Sequence, residues 1–264
     1  MILSSSFLAS SPKEGLHKWE EFLKNLKFRR ADKFSLALLC GALACAKDYD
    51  LTASALYFGT SNGSVESVKE LQDNIFLQNR FPMPFTFINT LSGTPLFFLL
   101  KHLNIQIPTI SVAHSNFAFE NTLSLALVDL KQKRIKSALI GVCDVWYEPI
   151  EQARKILDYE SCEFSAWILV EHNEKDCVKF FNSFDELLRF INQFETNSFY
   201  LSPSFSPNEY DKLKNTVQIR PNIAPKTISN YSAAAAGAHF SDEQTPFFYI
   251  GCDNRGGYSF VNIN

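Results

Sequence analysis

Thr109 to Ala126 reads TISVAHSNFAFENTLSLA. Its first five residues, TISVA, are apolar or small and read as a strand over Thr109–Ala113. From Asn116 the period changes. Phe119, Leu123, Ala126, Leu127 and Leu130 fall on one helical face, so the spacing predicts a helix from Asn116 to Lys131. Strand therefore passes to helix through His114 and Ser115 with almost no loop.

The same alternation extends outward. Downstream, Ala138–Val145 (ALIGVCDV) is a largely apolar strand of the kind covered on both faces, and Phe164–Glu171 (FSAWILVE) is another, after a short helix. Upstream, Leu56–Thr60 (LYFGT) reads as a buried strand ending in the turn Ser61-Asn62-Gly63, with a helix over Val65–Gln78. Before it, Asp32 is placed to cap a helix running to about Lys47, with apolar Phe34, Ala37, Leu38 and Ala42. Residues 15–27 are amphipathic and helical in pattern, and residues 2–9 (ILSSSFLA) form an opening strand. Asn79–Pro95 is rich in Pro and Phe without a period, and is expected as a long loop or irregular crossing segment, followed by a helix over Leu96–Leu103.

Beyond Asn173 the units are shorter. Ser183 is placed to cap a helix over Phe184–Ile191, Ser198–Leu201 is a short strand, and Pro207–Lys214 a short helix. Ile228–Ala238 carries four consecutive alanines and reads as a closely packed helix. Pro246–Ile250 and Tyr258–Ile263 flank a Gly-containing turn and predict a hairpin. Strands alternating with helices give an α/β layered fold, divided at 1–174 and 175–264. Strand–helix units recur in both halves, which is compatible with an internal duplication.

Composition narrows the class. The 264 residues are 46% apolar and 20% charged, enough for one compact unit or two lobes sharing a core. Phe, at 25 residues against 10 Gly, either fills that core or covers a surface that meets another chain. With a net charge of −3 and a pI near 6.0, nothing points to nucleic acid. Lys27, Arg29, Arg30 and Lys33 read as a solvated helix end. The cysteines, at 40, 45, 143, 162, 177 and 252, form no CxxC pair and no metal spacing with His, as expected of reduced thiols. Met1–Ser11 lacks a basic stretch and no apolar run is long enough for a membrane span, so a soluble cytoplasmic protein is expected.

In order along the chain, GTSNGS (Gly59–Ser64), PFTFINT (Pro84–Thr90), Thr109–Ala126 and Ala138–Val145 resemble the N-terminal half of the β-ketoacyl-acyl-carrier-protein synthases. The resemblance implies a thiolase-like layered fold, α-β-α-β-α, with an abbreviated C-terminal half. The family carries its nucleophile in a motif like TACxSS. Here Ala113 matches the Ala, His114 stands at the Cys, and Asn116 and Phe117 replace the two Ser. KTISNYSAAAAG (Lys226–Gly237) resembles the KxxxGHxxGAAG motif and puts Tyr231 on one catalytic His. YLSPSFS (Tyr200–Ser206) resembles YxxAHGT and puts Ser204 on the other. Gly256-Gly257 resembles the terminal GG loop without its Phe gate.

Those replacements remove the chemistry. A ketosynthase holds its acyl chain on a thiolate whose pKa is lowered beside a helix N-terminus, and two histidines stabilise the enolate and oxyanion. Imidazole at position 114 makes no comparably durable acyl intermediate. The pattern is similar to the short chain-length-factor group, including the aryl polyene type: inactive subunits that pair with an active ketosynthase. The resemblance implies an active β-ketoacyl synthase as partner and acyl chains arriving on the phosphopantetheine of acyl carrier protein, with no cofactor of the chain's own. It places Phe85, Thr86, Phe87 and Thr90 at a crossing that shapes the partner's pocket, and Asn62 near the gate of the acyl pocket.

Other readings stay open on the residues alone. His114 with Ser111 or Ser115 makes a divergent acyl-transfer enzyme conceivable, and a homodimeric acyl-thioester-binding module is another. More simply, His114 is a structural residue hydrogen-bonded at a helix start. Phe85 and Phe87 divide evenly between pocket and core. Cys143 lies within an apolar strand and reads as structural, Asp144 and Glu171 as solvated or capping groups, and Arg255 as part of a surface turn.

Overall fold

The computed structural model describes residues 1–10, 16, 19–24, 28, 30–114, 117–145, 163–194, 198–202, 204–220, 247–253 and 255–263. Asp32 begins the helix as its composition demands: its carboxylate accepts from Ser35 N at 2.9 Å, capping α2 (Lys33–Ala46). That helix is apolar almost all round because it is buried. A short helix, α1 (Glu20–Leu23), precedes it within the stretch expected to be helical.

The first sheet contains β1 (Ile2–Ser10), β2 (Ser54–Thr60), β3 (Thr109–Ala113), β4 (Ser137–Asp144) and β5 (Glu163–Glu171), in the order β1-β5-β4-β2-β3. β2 lies parallel to β3 and β4, whereas β5 runs antiparallel to β4 and β1. The second sheet contains β6 (Cys177–Phe181), β7 (Ser198–Leu201), β8 (Gln218–Ile219), β9 (Phe247–Cys252) and β10 (Tyr258–Ile263), in the order β6-β10-β9-β7-β8. Counted within its own half, that is the same order, and the parallel and antiparallel pairings repeat with it. The recurrence of strand–helix units in the sequence is thus a repeated topology.

Helices fill the spaces between and outside the sheets. α2 and α5 (Thr94–Leu103) cover the outer face of the first sheet, where Phe34, Leu38, Leu99 and Trp167 form a core. α6 (Ala118–Lys131) lies between the sheets and shares a second core with Tyr57 and Ile140 on one side and Tyr200 and Tyr249 on the other. α7 (Phe184–Ile191) and α8 (Pro207–Thr216) cover the outer face of the second sheet through Leu187, Ile191 and Leu213. These are the five layers of a thiolase-like fold. α7 is capped by Ser183, whose hydroxyl accepts from Glu186 N, as its sequence predicts.

Two segments differ from expectation. Asn79–Pro95 is not wholly irregular, because α4 (Pro84–Asn89) lies within it. Pro84 presets the first turn and the Thr94 hydroxyl donates to Ile88 O at 2.6 Å beyond the last. β6 carries too little alternation to be read as a strand, and gains its place by pairing with β10. The predicted helix over 228–238 and the short helix before β5 lie outside the described residues. Among the described residues no helix is long and apolar enough to cross a membrane.

Candidate functional site

The ends of β2, β3 and β4 meet at one place. Asp144, the last residue of β4, is 2% exposed, and its carboxylate accepts from Thr60 Oγ1 at 2.7 Å, Asn62 N at 2.8 Å and Ser61 N at 3.1 Å. Asp144 is therefore a capping group and not a solvated one. The turn closes with Gly63 N donating to Thr60 Oγ1 at 2.8 Å, and Gly63 has φ of 64°, where a side chain would strain the backbone. Asn62, the expected gate residue, is held by its backbone to Asp144, while its side-chain nitrogen is buried without a hydrogen-bond partner.

His114 is tied to that turn, its backbone N–H donating to Thr60 O at 3.0 Å. Its ring faces the start of α6. Nδ1 accepts from Phe117 N at 3.2 Å, and the imidazole stacks on the Phe117 ring with centroids 6.3 Å apart. Because Nδ1 is the acceptor, the neutral ring carries its proton on Nε2. The imidazole thus lies against the start of α6. Gly59 permits the close packing beneath it: a Cβ there would lie 2.6 Å from Thr122 Oγ1 and 2.7 Å from Ala118 O.

The other candidates fall as follows. Ser111 Oγ donates to Ser92 O at 3.4 Å and not to His114, and Ser115 lies outside the described residues. Ser204 follows β7, in a turn where its N–H donates to Ser202 Oγ at 3.2 Å. Tyr231 and the whole of Lys226–Gly237 lie outside the described residues. Cys143 is fully buried, and desolvation pushes its thiol well above the usual range, with Asp144 adding to the effect. It is no substitute nucleophile. Among the described residues no group of His, Cys, Asp and Glu is arranged to hold a metal. Sequence reasoning missed Glu120, which is fully buried in the first turn of α6 and accepts from Ser259 Oγ at 3.1 Å, joining α6 to the second sheet.

The crossing segment presents an unusual surface. In α4 the buried side chains are the polar Thr86 and Asn89, and the exposed ones are Pro84, Phe85, Phe87 and Ile88. Phe87 is 54% exposed, so neither phenylalanine is a core residue. The Thr90 hydroxyl is used locally, donating to Phe87 O at 2.7 Å. Upstream, α3 (Val65–Gln72) continues as a π-helical turn over Asp73–Leu77. Phe76, Leu77, Phe81 and Met83 are each at least 70% exposed. Ser111 Oγ donates to Ser92 O at 3.4 Å, joining the stretch after α4 to β3, the edge strand of its sheet among the described residues, where Thr109, Ile110 and Ala113 are exposed. An open strand edge beside a run of exposed aromatics is the physical signature of a surface that another chain covers.

Five layers, a repeated half-fold and a strand–helix junction at position 114 define the thiolase-like fold of ketosynthases and chain length factors. Solved structures share it. One is the ketosynthase ApeO in complex with its chain length factor ApeC from Xenorhabdus doucetiae, at 12% identity and a TM-score of 0.60, covering 99% of this chain and 99% of that one. Another is the ishigamide ketosynthase/chain length factor, at 12% identity and a TM-score of 0.67, covering 91% and 84%. A third is the AntDE:AntF complex of a type II polyketide synthase carrier protein with its ketosynthase, at 12% identity and a TM-score of 0.70, covering 92% and 85%. At this identity the likeness is one of fold. No family model matches the chain, and neither does any curated protein.

Proposed function

We propose that the chain is a non-catalytic, chain-length-factor-like subunit that pairs with an active β-ketoacyl synthase, of the type II polyketide or aryl polyene kind, and helps shape the pocket in which that partner extends an acyl chain. The observation that carries the reading is the inverted helix α4, polar side inward and Phe85, Phe87 and Ile88 outward. Leaving such a face in water is unfavourable, at roughly 25 cal/mol per Å² of apolar surface. A partner that covers it removes the cost. The non-catalytic part of the reading is supported by His114, whose Nδ1 lone pair is spent on Phe117 N. Acyl carrier protein is expected to reach the pair through the ketosynthase.

The experiment is co-expression with the Cys–His–His ketosynthase of the same organism, followed by light scattering and an elongation assay. A 1:1 complex is expected, with product length changing when Phe85 or Phe87 is shortened to Ala. A chain that stays apart from the ketosynthase, with elongation unaltered by its absence, overturns the proposal.

A further inference from the structure

The segment Arg30–Asp32 binds three helices at once. Asp32 caps α2 through Ser35 N and accepts from Ser67 Oγ of α3 at 2.8 Å. Arg30 receives α4: its carbonyl accepts from Asn89 Nδ2 at 3.0 Å, and its guanidinium lies 4.0 Å over the Phe85 ring. On the same side of α4, Thr86 Oγ1 donates to Glu70 Oε1 of α3 at 3.3 Å. A helix of six residues has little stability of its own, and α4 buries no large apolar side chain of its own toward the core. Its direction is therefore set by these polar contacts.

Asn89 is the costly member. Its Nδ2 is satisfied, yet its Oδ1 is buried with no hydrogen-bond partner. A half-satisfied buried amide is less favourable for stability than an apolar side chain of the same size. Its value then lies in geometry, because a directional bond fixes orientation where apolar contact alone permits sliding. We infer that Asn89 is a positioning residue: by fastening α4 to Arg30 it sets the direction in which Phe85, Phe87 and Ile88 meet the partner, and so selects the partner that fits. This rests on the proposed pairing with a ketosynthase.

Three measurements on Asn89→Leu test it. In the isolated chain, amide hydrogen exchange over Thr86–Leu91 is expected to quicken at least tenfold, while the melting temperature stays equal to wild type or rises. With the co-expressed ketosynthase, the heterodimer is expected to bind at least tenfold more weakly. Asn89→Ser, smaller but still hydrogen-bonding, serves if the leucine variant does not fold, with weakening between wild type and leucine expected. Exchange and affinity both unchanged in a folded variant overturn the inference. So does a melting temperature that falls with affinity unchanged, because Asn89 is then merely structural. If the wild-type chain fails to bind the ketosynthase, the proposed pairing is what fails, and with it the selection of partner. The exchange rates then decide whether Asn89 fastens α4.

Discussion

The indole of Trp167 occupies the space that a side chain on Gly141 would need: a Cβ there would fall 2.1 Å from the ring. Gly41 of α2 stands close as well, its Cβ position 2.6 Å from the same side chain. Phe58 stacks on the indole with centroids 6.0 Å apart and planes 13° from parallel, and Trp167 Nε1 donates to Ser165 Oγ at 2.9 Å. The outer core of the first sheet is thus built round one large residue seated among glycines. Gly141→Ala forces the ring to move and is expected to cost about 3 kcal/mol, at the upper end of overpacking. Trp167→Leu in the same chain should recover part of that loss. Urea denaturation of both single variants and the double variant measures the coupling, and additive effects would show that the two sites are independent.

Much of this architecture was legible because its causes are local. Asp32 and Ser183 announce their helices by side chains that bond backbone N–H groups three residues on. β2, β4 and β5 announce themselves by continuous apolar runs, since both their faces are covered. α4 was hidden because its apolar residues face outward, so a reading that assigns Phe to the core mistakes its direction. The local bonding of His114 was legible from its place before a helix. Glu120 was not, because its partner Ser259 is 139 residues distant in sequence.

Asp144 offers a direct test of the turn at positions 60–63. Replacing it with Ala leaves Thr60 Oγ1 and the Ser61 and Asn62 N–H groups without their acceptor in a buried place. The expected loss is about 3 kcal/mol. Hydrogen exchange should quicken at Ser61, Asn62 and, through the His114 N–H to Thr60 O bond, at His114. Exchange confined to Ser61 and Asn62 would show that the turn and His114 are not coupled.

The thiols give a pH dependence with a definite sign. Burial raises Cys40 and Cys45 to about 12, and burial with the charge of Glu209 does the same for Cys252. Folded pKa values above the unfolded value mean that the folded chain holds protons that the unfolded chain releases. Their stabilising effect is full below about pH 9 and is lost as pH rises toward 12, at roughly 1.4 kcal/mol per pH unit for each thiol. Chemical denaturation at pH 8, 9.5 and 10.5 should show falling midpoints. At pH 8 an alkylating reagent should label Cys177, which is only partly buried, well before Cys40, Cys45, Cys143 or Cys252. Rapid labelling of Cys143 in the native chain would contradict its burial.

His114 is best tested by exchanging its imidazole for a thiol. His114→Cys places a thiol at the start of α6 but removes the Nδ1 acceptor for Phe117 N, as does His114→Ala. Both variants are expected to lose about 1 kcal/mol of stability, the usual net worth of one hydrogen bond. Under the proposed non-catalytic role neither should form a carbon–carbon bond, because the family resemblance implies Ser204 and Tyr231 at the places of the two histidines that condensation needs, and a thiol without them lacks enolate and oxyanion stabilisation. Mass spectrometry after incubation with an acyl thioester and a malonyl thioester separates the two stages. Acylation of the new cysteine without elongation is the expected limit for the cysteine variant. An elongated product from the isolated variant would mean that condensing groups are present elsewhere in the chain, and would overturn the proposed non-catalytic role.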